Sequence, residues 1–252
     1  MKIMIVRHAE PDYSVDALTA KGRVEAELLA SRLSQVPDVL DCYMSPLGRA
    51  VATAGYTLNR MNREAEVLPW LCEFRGACYD PDLGYVHNCW DLRPRLFSAH
   101  PELENPETWL TFPYFRDSNV AAIWKETTDG VDALLARYGF HYDGSVWSAQ
   151  ENREGTLILF CHFGIAMAVT AYLLHMSPMV LWQNFFMAPS SVTTLISEER
   201  VKHEVSWRCV QLGDLSHLTG AAEPYSTAGL FPECYTGRDT TDPPAWGDRH
   251  HP

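Results

Sequence analysis

Two apolar runs far apart in this chain end in the same way. MKIMIVRH opens the sequence and TLILFCH begins at Thr156, so His8 and His162 close two short apolar stretches that lie 154 residues apart. Runs that are apolar nearly throughout, without alternation, suit strands buried on both faces of a parallel sheet. In open α/β sheets ligands bind in the crevice beyond the carboxyl ends of the strands. If both strands are central and parallel, two imidazoles and the guanidinium of Arg7 meet at one edge. Taken singly, each histidine is equally well read as a structural group bonded to a backbone carbonyl; the matched placement shifts the reading toward chemistry.

The elements between and beyond them alternate. Leu18 to Ser34 reads as a helix with Thr19 as its cap and Val24, Leu28, Leu29 and Leu33 on one side. Val39 to Met44 is a second strand, and a helix follows from SPLGRAVATAGYTLNRM, with Ser45 as cap and Pro46 at its first position. Glu66 to Leu71 is a short third strand, broken by Pro69. Residues 75–118 are dense in Trp, Tyr, Pro, Asp and Arg without periodicity and read as an insertion of short helices and loops. A helix over Asn119 to Tyr138, a strand over Thr156 to Cys161, a helix over Gly164 to Leu174, and strands over Ser191 to Glu199 and Val205 to Leu212 complete the order. Strands alternating with helices predict an α/β, doubly wound, mostly parallel sheet with helices on both faces and the irregular insertion over the active-site edge.

A chain of 252 residues with 46% hydrophobic content can bury roughly 70% of its unfolded surface, so one domain over residues 1–252 is expected, with 213–252 as an irregular tail. The net charge of −12, from 20 basic and 32 acidic side chains, gives nothing to neutralise a nucleic-acid backbone. A few arginines can still form a positive pocket for a small phosphorylated molecule. Seven cysteines without a C-x-x-C pair suit reduced thiols and a cytoplasmic protein, and the N-terminus is not signal-peptide-like. Thr156 to Leu174 holds nineteen residues with no acidic or basic charge, but β-branched and aromatic residues precede His162 and Gly164 while Ala, Met and Leu follow them. That is a buried strand, a turn and a buried helix, so no membrane span is expected. For assembly the default is a homodimer.

Two further residues belong at the same edge. Arg49 lies about one turn into the second helix, where its side chain leans back toward the unpaired N–H groups that favour an anion. Glu73, in LCEF after the third strand, could give a proton to a leaving oxygen and later take one from water. No G-x-G-x-x-G or Walker sequence is present.

RHAE at Arg7 to Glu10, SPLGRAVATA at Ser45 to Ala54, LCEF at Leu71 to Phe74 and CHFG at Cys161 to Gly164 together resemble the histidine phosphatase superfamily, the phosphoglycerate-mutase-like group. The resemblance implies a doubly wound fold and a phosphohistidine intermediate. By it, His8 is the nucleophile, Arg7, Arg49 and His162 bind the phosphoryl group, Glu73 is general acid and then base, and neither metal nor other cofactor is required. The sequence departs from the family at Ala9, where many members have Gly, at Phe163, which is expected to narrow the pocket, and at Glu10-Pro11, which weakens the mutase branch. Basic and aromatic residues of the insertion, among them Arg75, Trp90, Arg93 and Arg116, could recognise the rest of the substrate. The alternatives are a mutase, a metal site of His8, Glu10, Asp12 and His162, and a phosphate-binding module without turnover.

Overall fold

The computed structural model describes residues 1–151 and 153–231. In chain order the elements are β1 (Lys2–Arg7), β2 (Pro11–Asp12), β3 (Ala17–Leu18), α1 (Ala20–Leu33), β4 (Val39–Met44), α2 (Gly48–Met61), β5 (Glu66–Val67), β6 (Ala77–Asp80), β7 (Tyr85–Asn88) and α3 (Pro94–Ala99). There follow α4 (Val120–Ala136), β8 (Phe140–Tyr142), β9 (Trp147–Ala149), β10 (Thr156–Cys161), α5 (Phe163–Leu173), α6 (Pro178–Asn184), β11 (Val192–Val201), β12 (Glu204–Asp214) and α7 (Ser216–Thr219).

Eight strands form the main sheet in the order β5-β4-β10-β1-β11-β12-β9-β8. The expected α/β sheet with helices on both faces is present, with parallel pairing confined to one half. β5, β4, β10 and β1 are parallel neighbours. From β11 onward every pairing is antiparallel. The antiparallel half includes β8 and β9, two three-residue strands too short to leave a periodic signal in the sequence.

The central strands are buried on both faces, and their alternation sorts the core. Met4, Val6, Ile158 and Phe160 pack with Leu29 and Leu33 of α1 and Ala54 and Leu58 of α2. Ile3, Ile5, Leu157, Leu159 and Cys161 pack on the other side with α4, α5 and residues of the insertion, including Trp109, Phe112 and Phe115. The nineteen uncharged residues from Thr156 divide into β10 and α5, as their composition indicated. Among the described residues no helix is long and apolar enough to cross a membrane.

Four local expectations are corrected. Val24 does not face the core: α1 buries Gly22, Glu25, Ala26, Leu29, Ala30 and Leu33, small residues letting the helix approach closely. The second helix starts at Gly48, and the Ser45 hydroxyl serves elsewhere. The insertion holds a hairpin, β6 with β7, closed by the buried carboxylate of Asp80, which accepts from the N–H groups of Asp82 and Leu83. At the far end, β12 runs to Asp214 and α7 follows, so the tail read from 213 begins with regular structure; its residues from 232 on lie outside the described residues.

Candidate active site

Parallel pairing brings the chemistry-bearing residues to one edge. The His8 N–H donates to the Cys161 carbonyl at 2.9 Å, the Ser45 N–H to the Phe160 carbonyl at 2.9 Å, and the Leu68 N–H to the Met44 carbonyl at 3.0 Å, so β1, β10, β4 and β5 finish side by side. Arg7, His8 and His162 are 3%, 2% and 0% exposed, and the two imidazoles lie 5.1 Å apart between ring centres.

His8 Nδ1 lies 2.8 Å from the Ala9 carbonyl, which can only accept. That contact assigns the proton to Nδ1 and leaves the Nε2 lone pair free, the form a nucleophilic imidazole needs. Burial, then the charges of Arg7 and Arg49, hold its pKa well below the ordinary histidine value, so the ring is neutral near pH 7. His162 is depressed in the same way, by burial first and then by His8, Arg49 and Arg7.

His162 is oriented by a residue the sequence marked only as a helix cap. Ser45 Oγ is 2.7 Å from His162 Nε2 and accepts from the Leu47 N–H at 3.2 Å. The hydroxyl has a second lone pair and a proton, so the contact fits either ring tautomer; when the hydroxyl donates to Nε2, the ring proton lies on Nδ1. That nitrogen is buried without a partner. The signal was present in the sequence, since Ser45 follows β4 directly at the edge where His162 ends β10.

The two arginines are held differently. Arg7 donates from Nη1 to the Met187 carbonyl and from Nη2 to the Ala228 carbonyl at 3.1 Å, and its guanidinium lies between the rings of Phe163 and Phe186, 5.7 and 5.8 Å from their centres. Phe163, expected to narrow the pocket, lies against Arg7. Arg49, the second residue of α2, pairs through Nη1 with Asp16 Oδ1 at 2.6 Å, while Asp16 Oδ2 accepts from the Gly48 N–H at 2.6 Å. The Nε atoms of both arginines are buried and unpartnered.

Glu73 follows the turn Pro69–Leu71 and is pinned by two backbone groups. Its Oε1 accepts from the Phe74 N–H at 2.8 Å and from the Ile165 N–H of α5 at 3.2 Å. Burial raises its pKa above the usual carboxylate value against the pull of those bonds and of Arg49 and Arg7. Gly164 leaves room for this carboxylate and for the insertion: a Cβ there would stand 2.7 Å from Glu73 Oε1 and 2.5 Å from Trp90 Cζ3. Of the other insertion residues, Arg93 is engaged by Asp80 and Asp82, whereas Arg75 is exposed without an ion pair among the described residues.

The metal alternative lacks its ligands. Glu10 Oε1 accepts from Thr19 and its own N–H donates to Glu25, Asp12 accepts from Ser14, and among the described residues no group of three or more His, Cys, Asp or Glu could hold a metal ion.

Residues 3–113 match the family model described as the histidine phosphatase superfamily, branch 1. The fold is similar to that of mycobacterial hydrolase 1, with a TM-score of 0.56 at 20% identity over 84% of this chain and 98% of that one. It is likewise similar to a phosphoserine phosphatase from Entamoeba histolytica, with a TM-score of 0.56 at 19% identity over 86% and 98%. A mycobacterial glucosyl-3-phosphoglycerate phosphatase gives 0.54 at 21% identity over 83% and 96%. No protein of curated function matches the chain in sequence.

Proposed function

We propose that this chain, whose residues 3–113 match the model of the histidine phosphatase superfamily, is a member of that family and a metal-independent phosphomonoester hydrolase that passes the phosphoryl group of a small metabolite through His8. The observation that carries the proposal is a set of three buried nitrogens without partners: Arg7 Nε, Arg49 Nε and His162 Nδ1. A buried donor left unpaired costs about 1–3 kcal/mol. Two guanidinium nitrogens and one imidazole nitrogen so placed on neighbouring side chains suit the oxygens of an anion.

The placement supports the following steps. Neutral His8 attacks phosphorus through Nε2, and the bond to the substrate oxygen breaks in line with it. Arg7, Arg49 and His162 donate to the three equatorial oxygens as charge spreads over them. Each unit charge at about 4 Å contributes on the order of 4 kcal/mol at the dielectric of a pocket surface, before desolvation is deducted. Glu73, whose pKa burial raises, protonates the departing alkoxide. As a carboxylate it then takes a proton from water, which attacks the phosphohistidine and releases inorganic phosphate and free His8. One water is consumed, one alcohol and one phosphate are formed.

The purified protein and its His8→Ala variant are to be compared on a panel of phosphomonoesters, including phosphoserine and 3-phosphoglycerate, with and without EDTA. Activity that survives EDTA and vanishes in the variant is expected. Equal activity in His8→Ala, or loss with chelator, overturns the proposal.

A further inference from the structure

After α7 the chain returns across the N-terminal part of α1 and reaches the site from outside the sheet. Lys21 Nζ bonds Glu223 Oε1 at 3.0 Å and the Pro224 carbonyl. Ser226 is 3% exposed, and its hydroxyl accepts from the Ala228 N–H at 3.1 Å. The Leu230 N–H donates to the Thr227 carbonyl at 3.0 Å, so residues 226–230 form a tight bend. At its centre the Ala228 carbonyl takes Arg7 Nη2, and Gly229 adopts a φ of +103°, a conformation that side chains rarely allow. A Cβ on Gly229 would stand 3.0 Å from the same Nη2.

We propose that residues 223–231 are a positioning strap for the phosphoryl-binding arginine. A guanidinium is planar, with five N–H groups in a fixed fork. The Met187 carbonyl takes Nη1 and the Ala228 carbonyl takes Nη2, one from the loop before β11 and one from the strap, and together they fix the plane. The Nε–H remains as the buried donor without a partner. Carbonyls orient the group without pairing it to a carboxylate; Arg49, by contrast, is paired with Asp16. Gly229 is the residue that permits the approach, since it supplies both the φ and the missing Cβ. Lys21 is the outer anchor.

The inference rests on the phosphohydrolase reading, and the test separates the two. Full-length wild type, Gly229→Ala, Gly229→Val and Lys21→Ala are compared for kcat, KM, melting temperature and affinity for inorganic phosphate, beside His8→Ala. Phosphate affinity and kcat/KM are expected to fall in the order wild type, Gly229→Ala, Gly229→Val, by more than tenfold at the end of the series, with Lys21→Ala losing less. Because the strap acts through Arg7, Gly229→Val introduced into Arg7→Ala is expected to cause no further loss of phosphate affinity. Full activity in His8→Ala overturns the functional reading itself. With that reading intact, unchanged phosphate affinity in Gly229→Val, a loss equally large in the Arg7→Ala background, or a loss that only follows the unfolded fraction overturns the strap. If Gly229→Val does not fold, Gly229→Ala and Lys21→Ala decide it by the same criteria.

Discussion

Ser45→Ala tests whether His162 presents a proton to the substrate. The hydroxyl lies 2.7 Å from Nε2 in a site that is 0% exposed for both residues. Removing it leaves a buried acceptor unpaired, at about 1–3 kcal/mol. The ring can relieve that penalty by moving its proton to Nε2, but Nδ1 then turns a lone pair toward the anion. Either way the Nδ1–H form loses up to the full preference supplied by Ser45, and the rate falls about 5- to 150-fold in kcat/KM. The fold loses a comparable free energy, worth a decrease of roughly 2–4 °C in melting temperature per kcal/mol for a chain of this size. Assays well below that temperature with a phosphomonoester, together with nitrogen NMR of the His162 ring, read the two effects separately. Ser45→Cys, a weaker donor, is expected between the two. A kcat/KM within twofold of wild type, with the melting temperature lowered, would show that the bond is only structural and refute the assignment of the Nδ1 proton.

Other outcomes follow from the same geometry. Since His8 and His162 are held neutral far below their ordinary pKa, kcat/KM should show no acid inflection near 6.5, once the substrate's own ionisation near about 6 is allowed for. Glu73 must carry a proton for the first step, so the rate falls as pH rises through its elevated pKa, and Glu73→Gln removes that limb; a histidine-like acid limb in the profile would contradict the account. Glu25 is buried with one oxygen on the Glu10 N–H and the other unpartnered, and burial lifts its pKa to about 7. Its folded value lies above the unfolded one of about 4.3, so its stabilising contribution is complete at low pH and lost as pH rises through 7. Glu25→Gln should therefore flatten the dependence of melting temperature on pH between about 5 and 7.5 and exceed wild type above it, and parallel curves would exclude that titration. Gly164→Ala drives a Cβ into Glu73 Oε1 and Trp90, and should lower kcat more than tenfold with less change in KM; wild-type kcat would show that Glu73 has room to spare.

What could be read from the sequence was whatever depends on strand ends. Buried parallel strands have continuous apolar runs, so the ends of β1, β4 and β10 were evident, and with them Arg7, His8 and His162. Arg49 and Glu73 followed from their offsets to those strands. The rest depends on contacts between residues remote in sequence. Ala228 acts on Arg7 through its backbone carbonyl, which no side-chain pattern advertises. Asp16 reaches Arg49 from a turn with φ of +47°, and Glu25 is buried on a helix face where a pattern of apolar residues alone pointed to Val24. The antiparallel half was only partly legible, since β8 and β9 are too brief for alternation to show.

The position of β1 has a consequence for how the protein is made. It precedes the other strands of the sheet in the chain and lies in the middle of it, flanked by β10 and β11, whose residues begin at Thr156 and Val192. At about 5–20 residues per second, translation leaves it without either neighbour for roughly 8 to 30 s. For that interval an apolar strand with two open edges must be shielded, by α1, α2 and β4 or by a chaperone. The two histidines meet only when β10 inserts beside β1, so a nascent chain stalled before Thr156 carries His8 without His162. Slowing synthesis in that window should raise aggregation, and co-expressed chaperones should recover yield without altering the activity of the finished molecule.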